Sequence, residues 1–143
     1  MQVSEVMTRR AECTGPEVTL QQAAERMRAL DVGSLPVCDK DRLVGMVTDR
    51  DITLRCVAEG HDPRTDCVRD AMTAAVFYCF EDEDVAEAAQ RMRIKQVRRL
   101  PVLNREKRLT GIVSLGDLAV EAGNEQLVGE ALEGISEPSS PQR

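Results

Sequence analysis

The sequence predicts an α+β protein made of two copies of one unit of helices and strands. The phrase GMVTDRDI at residues 45–52 returns as GIVSLGDL at residues 111–118, with Gly, a hydroxyl, Asp and an aliphatic residue at matching positions. A shift of 65 positions also places residues 3–8 on 68–73 and Leu35-Pro36-Val37 on Leu100-Pro101-Val102. Repetition on this scale indicates two supersecondary units. Because about 60 residues seldom bury a sufficient core alone, the copies are expected to pack together.

The first helix of each copy is predicted by one apolar face. Its members recur at the i, i+3, i+4, i+7 spacing of an amphipathic helix. They are Leu20, Ala23, Ala24 and Met27 in the first copy and Val85, Ala88, Ala89 and Met92 in the second. Thr19 with Gln22 is expected to form a capping box, and Asp84 with Glu87 a looser version of it.

Two strands and a second helix follow in each copy. Residues 35–38 and 42–47 flank a polar turn and predict a hairpin, which residues 100–103 and 109–113 repeat. The second helix is expected to begin near Asp49 or Asp51 and to end near Gly60. Its counterpart is expected to begin near Gly116 and to end at Gly123, since Gly is common just beyond a helix. A short lead-in segment precedes each copy, around Met7 in the first and around Met72 in the second.

These elements predict a first repeat at residues 1–60, a linker at 61–67 and a second repeat at 68–123. Residues 124–143 are expected to form a C-terminal tail. Its end, GISEPSSPQR, is rich in Ser and Pro, so it is expected to be frayed or disordered.

Composition and charge exclude several classes of function. The net charge of −6 argues against non-specific nucleic-acid binding, which needs excess Lys and Arg. No segment has the roughly 20 apolar residues that span a bilayer, and the first ten residues do not resemble a secretion signal. We therefore expect a cytoplasmic protein without membrane or nucleic-acid partners. With one histidine and no C-x-x-C pair, neither a metal site nor a catalytic site is predicted.

The repeated phrase has a structural and a functional interpretation. Thr48 with Asp51, and Ser114 with Asp117, fit the S/T-x-x-D pattern of a helix cap. A helix start also suits a phosphate, and a nearby Asp can accept hydrogen bonds from both hydroxyls of a ribose. The cap does not explain the Gly that opens each phrase, because Gly within a strand indicates that another group approaches closely. The sequence therefore predicts two ribose-phosphate sites.

The duplicated pattern G-x-V-[ST]-x-x-D-[IL], after a hairpin that bears Leu-Pro-Val, resembles a tandem pair of CBS domains, or Bateman module. The resemblance covers about residues 1–123. It implies two β-α-β-β-α units packed sheet to sheet with pseudo-two-fold symmetry, in a stand-alone, bacterial-type protein. It further implies clefts for an adenosine-containing ligand such as AMP, ADP, ATP or S-adenosylmethionine, with no required cofactor. Such a module is a non-catalytic regulator or ligand sensor that acts in trans on an unknown target or through self-association, commonly as a homodimer.

The resemblance also nominates site residues by motif position. Asp51 and Asp117 would hold the ribose hydroxyls, with Thr48 and Ser114 close to the ribose-phosphate. The other residues expected to line the clefts are Gly33, Ser34, Arg98, Arg99, Thr8 and Thr73.

The two copies differ within this set. Asp49 adds negative charge beside the first site, which Arg50 could offset, whereas the second copy has Leu115-Gly116 at these positions. An inward Arg98 or Arg99 would bind a phosphate better than Gly33-Ser34. This favours the cleft with Asp117, unless the arginines serve the other cleft.

Two alternative functions remain open. A redox- or stress-responsive protein without nucleotide would use a disulfide between Cys13 and Cys38, whose repeat counterparts are Tyr78 and Leu103. Unreactive apolar thiols are the structural alternative. A structural or partner-binding dimer would leave the clefts empty. Its candidate interface residues are Ile52, Val57, Leu118 and Val120.

Overall fold

The computed structural model of the protein describes residues 1–9, 12–74 and 77–138, with only the backbone at residue 122. In chain order the elements are a 3-10 turn at Val3–Glu5, β1 (Thr8–Arg9), α1 (Leu20–Leu30), β2 (Ser34–Asp39), β3 (Arg42–Thr48), α2 (Asp49–Ile52) with a π-helical continuation at Thr53–Val57, α3 (Val68–Ala71), β4 (Cys79–Phe80), α4 (Val85–Lys95), β5 (Arg99–Leu103), β6 (Leu109–Ser114), α5 (Leu115–Asp117) with a π-helical continuation at Leu118–Ala122, and α6 (Glu125–Ser136). This mixture of helices and short sheets confirms the predicted α+β class.

The chain divides into two compact units, and each unit combines the strands of one repeat with the lead-in segment of the other repeat. We call Glu12–Val76 the continuous unit, and Met1–Ala11 with Phe77–Arg143 the split unit. In the split unit, Thr8 of β1 lies opposite Ile112 of β6. In the continuous unit, Thr73 forms a bridge with Met46 of β3. Each repeat's lead-in therefore pairs with a strand of the other repeat.

The continuous unit is built around the β2–β3 hairpin. The two strands are antiparallel and in register from Ser34 opposite Thr48 to Asp39 opposite Arg42, with one irregularity after Val37. Lys40 and Asp41 turn the chain with φ of 51° and 67°, and left-handed residues at both central positions suit the twist of a tight hairpin. The buried core consists of Leu20, Ala23, Met27, Leu35, Val37, Val47, Cys56, Val68 and Ala71. The predicted helix and hairpin are confirmed. Three members of the predicted apolar face, Leu20, Ala23 and Met27, are buried, but the prediction is wrong for the fourth, Ala24, because it is exposed.

The split unit contains a four-stranded sheet in the order β1-β6-β5-β4. The strands β5 and β6 form the predicted antiparallel hairpin, and β4 runs parallel to β5. Its buried core consists of Val3, Val6, Met7, Cys79, Val85, Ala88, Ala89, Met92, Leu100, Val102, Val113, Leu115, Leu118 and Ala131. The lead-in thus contributes core side chains as well as a strand.

The predicted tail begins with a helix that the sequence pattern did not indicate. Asn124 caps α6 by accepting a hydrogen bond from the Leu127 N–H (3.0 Å), and Ala131 is buried in the core. Gly134, expected to be frayed, lies within α6 and lets it approach α4, because a Cβ there would overlap the Arg93 side chain. The expectation of disorder at residues 139–143 falls outside the described residues.

The glycine that opens each repeated phrase is explained by the exchanged lead-ins. A Cβ on Gly111 would lie 2.6 Å from the Thr8 carbonyl oxygen and 2.8 Å from Met7 Sδ. A Cβ on Gly45 would lie 2.8 Å from the Thr73 carbonyl oxygen. Real Cβ atoms do not come this close to backbone atoms, so only glycine allows the lead-in to pair with the strand.

We predict that Gly111→Ala destabilises the protein by about 1–3 kcal/mol, because the added methyl group must push the lead-in away from β6. Urea unfolding followed by circular dichroism measures this change. Gly129→Ala is the matched control, since nothing lies within 4 Å of a Cβ there. This control should be neutral or stabilising, because Ala is favoured over Gly in a helix. Equal stability of Gly111→Ala and the unmodified protein would contradict the close approach.

Candidate functional site

The repeated phrases lie at equivalent points of the two units, where a strand turns directly into a helix. The Ser114 hydroxyl accepts a hydrogen bond from the Asp117 N–H (3.0 Å), and Asp117 Oδ2 accepts one from the Ser114 N–H (2.8 Å). Thr48 and Asp51 make the same reciprocal pair at 3.0 and 2.9 Å. The structural interpretation is therefore confirmed: both phrases form capping boxes. Any ligand must therefore bind to N–H groups and oxygen atoms that are not already used in the capping boxes.

In the split unit, three of the predicted site residues share one face of the sheet. Arg99 lies opposite Ser114, and Thr8 lies opposite Ile112, which is two residues before Ser114. Paired residues share a face, and alternate residues along a strand return to it. The side chains of Thr8, Arg99 and Ser114 therefore project from the face opposite the one that carries the buried Leu100.

In the continuous unit, none of the three equivalent residues has a positively charged side chain. Ser34 lies opposite Thr48, and Thr73 forms a bridge with Met46, two residues before Thr48. Thr73, Ser34 and Thr48 therefore share one face. Ser34 stands where the split unit has Arg99.

The residue before each of these positions acts through its backbone. The Gly33 carbonyl oxygen accepts a hydrogen bond from the Asp49 N–H, and the Arg98 carbonyl oxygen accepts one from the Leu115 N–H, both at 2.9 Å. The Arg98 and Arg99 side chains are both exposed. The two predicted arginines thus differ in role: Arg98 holds the helix start, and Arg99 is the cross-strand neighbour of Ser114.

The two helix starts differ in their remaining N–H groups. In the continuous unit, the Arg50 N–H donates to Asp49 Oδ1 (2.8 Å), so a carboxylate already occupies the helix start. In the split unit, the equivalent Gly116 N–H has no acceptor among residues 1–9, 12–74 and 77–138. Asp49 thus does more than add charge, because its side chain takes the donor that a phosphate would need. The exposed Arg50 side chain makes no ion pair within the described residues.

Arg55 is a residue of this region that the sequence interpretation missed. Its Nη1 lies 3.9 Å from Asp51 Oδ1 and donates to the carbonyl oxygens of Ala71 (2.7 Å) and Met72 (3.2 Å). The i,i+4 spacing from Asp51 was the available signal. In the second repeat, Glu121 is four residues after Asp117. The outer oxygen of each Asp is the carboxylate oxygen that the cap does not use. The outer oxygen of Asp51 therefore faces the Arg55 cation, whereas the position four residues after Asp117 holds no cation.

The alternative functions involve residues in quite different settings. Val57 and Val120 are 62% and 79% exposed, whereas Leu118 is fully buried and Ile52 packs against the core. Leu118 is therefore wrong as an interface candidate, because its side chain fills the core of the split unit. Cys13 is exposed and Cys38 is half-buried, and both carry free thiols.

The described residues lack two other kinds of feature. No three or more His, Cys, Asp or Glu side chains in residues 1–9, 12–74 and 77–138 are grouped so as to hold a metal ion. Among the helices that the structure describes, none combines the length and apolar character needed to cross a membrane.

Comparisons with known proteins identify the family. The CBS domain family matches the chain twice, at residues 3–57 and 68–123. CBS domain-containing protein YhcV of Bacillus subtilis is 39% identical over 134 residues, which are 94% of each chain. A solved structure of Hypoxic Response Protein I, described with two coordinated zinc ions, is 38% identical with a TM-score of 0.77. It covers 85% of this chain and 98% of that one.

A further solved structure is the CBS domain pair of protein MJ0100 in complex with 5′-methylthioadenosine and S-adenosyl-L-methionine. It has a TM-score of 0.75 at 24% identity and covers 86% of this chain and 96% of that one, so the likeness shows the fold alone. The two family matches include most of the described residues, and both lie on the elements that form the capped helix starts. The protein therefore belongs to the CBS domain family, as a tandem pair of CBS domains, which is a regulatory module.

Proposed function

We propose that the protein is a ligand sensor that binds an adenosine-containing small molecule at the helix start of the split unit. In this proposal the ribose and phosphate of the ligand contact four groups: the outer oxygen of Asp117, the Gly116 N–H, the Ser114 hydroxyl and the Arg99 guanidinium. Thr8 lies on the same sheet face and borders the site. AMP, ADP, ATP and S-adenosylmethionine are the candidate ligands.

The free Gly116 N–H is the observation that carries the proposal. An N–H at a helix start, beside the positive end of the helix dipole, favours an anion. Arg99 across from Ser114 adds a permanent positive charge that can bind a phosphate through two hydrogen bonds. Asp117 Oδ2 is used by the cap, and the other carboxylate oxygen accepts no hydrogen bond from described residues. It can therefore accept from a ribose hydroxyl.

The helix start of the continuous unit offers fewer groups that can bind a ribose-phosphate. The Asp49 carboxylate takes the equivalent N–H and would repel a phosphate, and Ser34 replaces Arg99. Arg55 also competes for the outer oxygen of Asp51. We therefore propose that the site with Asp117 binds first, and that Gly33, Ser34, Thr48, Asp51 and Thr73 form a weaker site.

The fold likeness to the MJ0100 pair supports the ligand class only in a general way. That protein holds two adenosine derivatives, which shows that a CBS pair of this fold can accommodate the adenosine group. The choice among nucleotides rests instead on the charges of this chain. The negative charge of a phosphate is attracted to the Arg99 guanidinium, whereas a neutral thioether or a positively charged sulfonium group is not.

Regulation through self-association is the mode of action that the exposed surface supports. Val57 in the continuous unit and Val120 in the split unit are large apolar residues, and each has most of its surface in water, where a partner surface could cover it. We propose a homodimer. Light scattering should then give about twice the chain mass of 15.8 kDa, and a monomer mass at micromolar concentration would contradict this mode.

We predict that a nucleotide raises the melting temperature. Ligand at 100 times its Kd stabilises a protein by about 2.7 kcal/mol, and for this size the shift is on the order of 5–10 °C. The measurement is differential scanning fluorimetry with AMP, ADP, ATP, S-adenosylmethionine and NAD. Asp117→Ala should abolish the shift, while the matched Asp51→Ala should retain most of it. The absence of a shift with every ligand would refute the sensor function.

The two neighbouring arginines provide a second prediction. Arg99→Ala should weaken AMP binding roughly 10-fold or more, because a charge-assisted hydrogen bond contributes about 1.5–3 kcal/mol. Arg98→Ala should bind nearly as well as the unmodified protein, since its contact is made by the backbone. Isothermal titration calorimetry with AMP and with adenosine separates the phosphate contribution. Equal losses in both variants, or a loss that is the same for adenosine, would contradict the role of Arg99.

A further inference from the structure

The start of the continuous unit pairs with β2 in a way that brings two cysteines together. The Thr14 N–H donates to the Pro36 carbonyl oxygen and the Cys38 N–H donates to the Thr14 carbonyl oxygen, both at 2.9 Å. Thr14 therefore forms a parallel bridge with Val37. Both of these side chains are buried. Because side chains alternate along extended chain, Cys13 and Cys38 both project to the other side of this pairing.

The two thiols are neighbours on that side. Besides burial, the Cys13 thiol raises the pKa of Cys38 through a side-chain hydrogen bond and through its charge, so the two side chains lie near each other. Cys13 is exposed to solvent and Cys38 is half-buried, so a reagent in solution reaches Cys13 first. Cys56 and Cys79, in contrast, are fully buried in the two cores.

The fold itself does not require this pair. In the second repeat, β4 runs parallel to β5 in the equivalent arrangement, and the positions of Cys13 and Cys38 are taken by Tyr78 and Leu103. The same backbone pairing is therefore made without sulfur. The thiols are an addition to one repeat.

We propose that Cys13 and Cys38 form a reversible intramolecular disulfide when the protein meets a low-molecular-weight disulfide such as oxidised glutathione. This inference goes beyond the proposed ligand binding and does not depend on it.

The reaction proceeds in two exchange steps. The Cys13 thiolate attacks one sulfur of oxidised glutathione, forms a mixed disulfide and releases one glutathione thiolate. The Cys38 thiol then gives its proton to solvent and attacks the Cys13 sulfur, which releases the second glutathione thiolate. Two protein thiols are oxidised to one disulfide, and one glutathione disulfide is reduced to two thiols.

The order of the steps follows from the surroundings of Cys38. Burial, the contact with Cys13 and the charge of Asp41 raise the pKa of the Cys38 thiol to about 12. Cys38 is therefore a poor first nucleophile. Once Cys13 is in a mixed disulfide it has no thiolate charge, so its share of the raised pKa disappears. Cys38 is then the nearest thiol to the sulfur that must be attacked.

The bridge would tie the first residues of the continuous unit to β2. It closes the chain between positions 13 and 38, which restricts the unfolded state more than the folded state. The oxidised protein should therefore melt at a temperature roughly 5–15 °C above that of the reduced protein.

The test counts free thiols in the full chain. Reduced protein is incubated with oxidised glutathione in the presence of a metal chelator, then denatured and alkylated, and its mass is measured. We expect five alkylated cysteines before oxidation and three after it, with the chain monomeric on non-reducing gels and a Cys13–Cys38 linked peptide after digestion. Retention of all five thiols, or a linkage between other cysteines or other chains, would overturn the proposal.

Three variants separate the roles of the thiols. Cys38→Ser should stop at one glutathione adduct on Cys13, and Cys13→Ser should react much more slowly and form no internal bridge. Cys67→Ser is the matched control, because it removes another half-buried thiol and leaves the pair intact. It should still lose two thiols on oxidation. Circular dichroism and melting of the reduced variants establish that each is folded. Bridge formation in Cys13→Ser, or none in Cys67→Ser, would contradict the assignment.

Discussion

The close backbone approach of each lead-in segment to a glycine is the constraint on which the rest of the fold depends. At Gly111 the Thr8 carbonyl group comes so near to β6 that no side chain fits, and at Gly45 the Thr73 carbonyl group does the same to β3. This contact joins the lead-in of one repeat to the strands of the other. It also sets which residues share a sheet face at each helix start, so the composition of both candidate sites follows from it.

The capped helix starts show how one local structure can serve both stability and recognition. Each capping box uses one hydroxyl oxygen, one carboxylate oxygen and two N–H groups, and leaves the remaining atoms of the first turn free. A side chain one residue later then decides whether the free atoms stay available. Asp49 folds back onto the helix start of the continuous unit, whereas Leu115 has no polar atom with which to do so. Two sites with the same motif therefore differ in chemistry.

Local features of the fold could be predicted from the sequence. The hairpins, the apolar helix faces and the caps of Thr19 and Gly123 depend on neighbours a few residues apart, so their patterns are visible in the chain. The exchange of lead-ins and the helix α6 could not, because both depend on contacts between distant segments. Gly134 illustrates the difference: in the sequence it suggests a break, and in the fold it lets α6 approach Arg93. Similarly, only strand register separates Arg99 from Arg98.

The exchanged lead-in also imposes an order on how the chain can fold during its synthesis. Thr8 leaves the ribosome long before its partner Ile112, which follows more than 100 residues later. The continuous unit has all of its segments well before then, and can form first. The lead-in must remain unpaired throughout that interval, with Val3, Val6 and Met7 still outside their core. Contacts of such long sequence separation form slowly, so the completion of the split unit is the step at which a nascent chain is most exposed to misfolding.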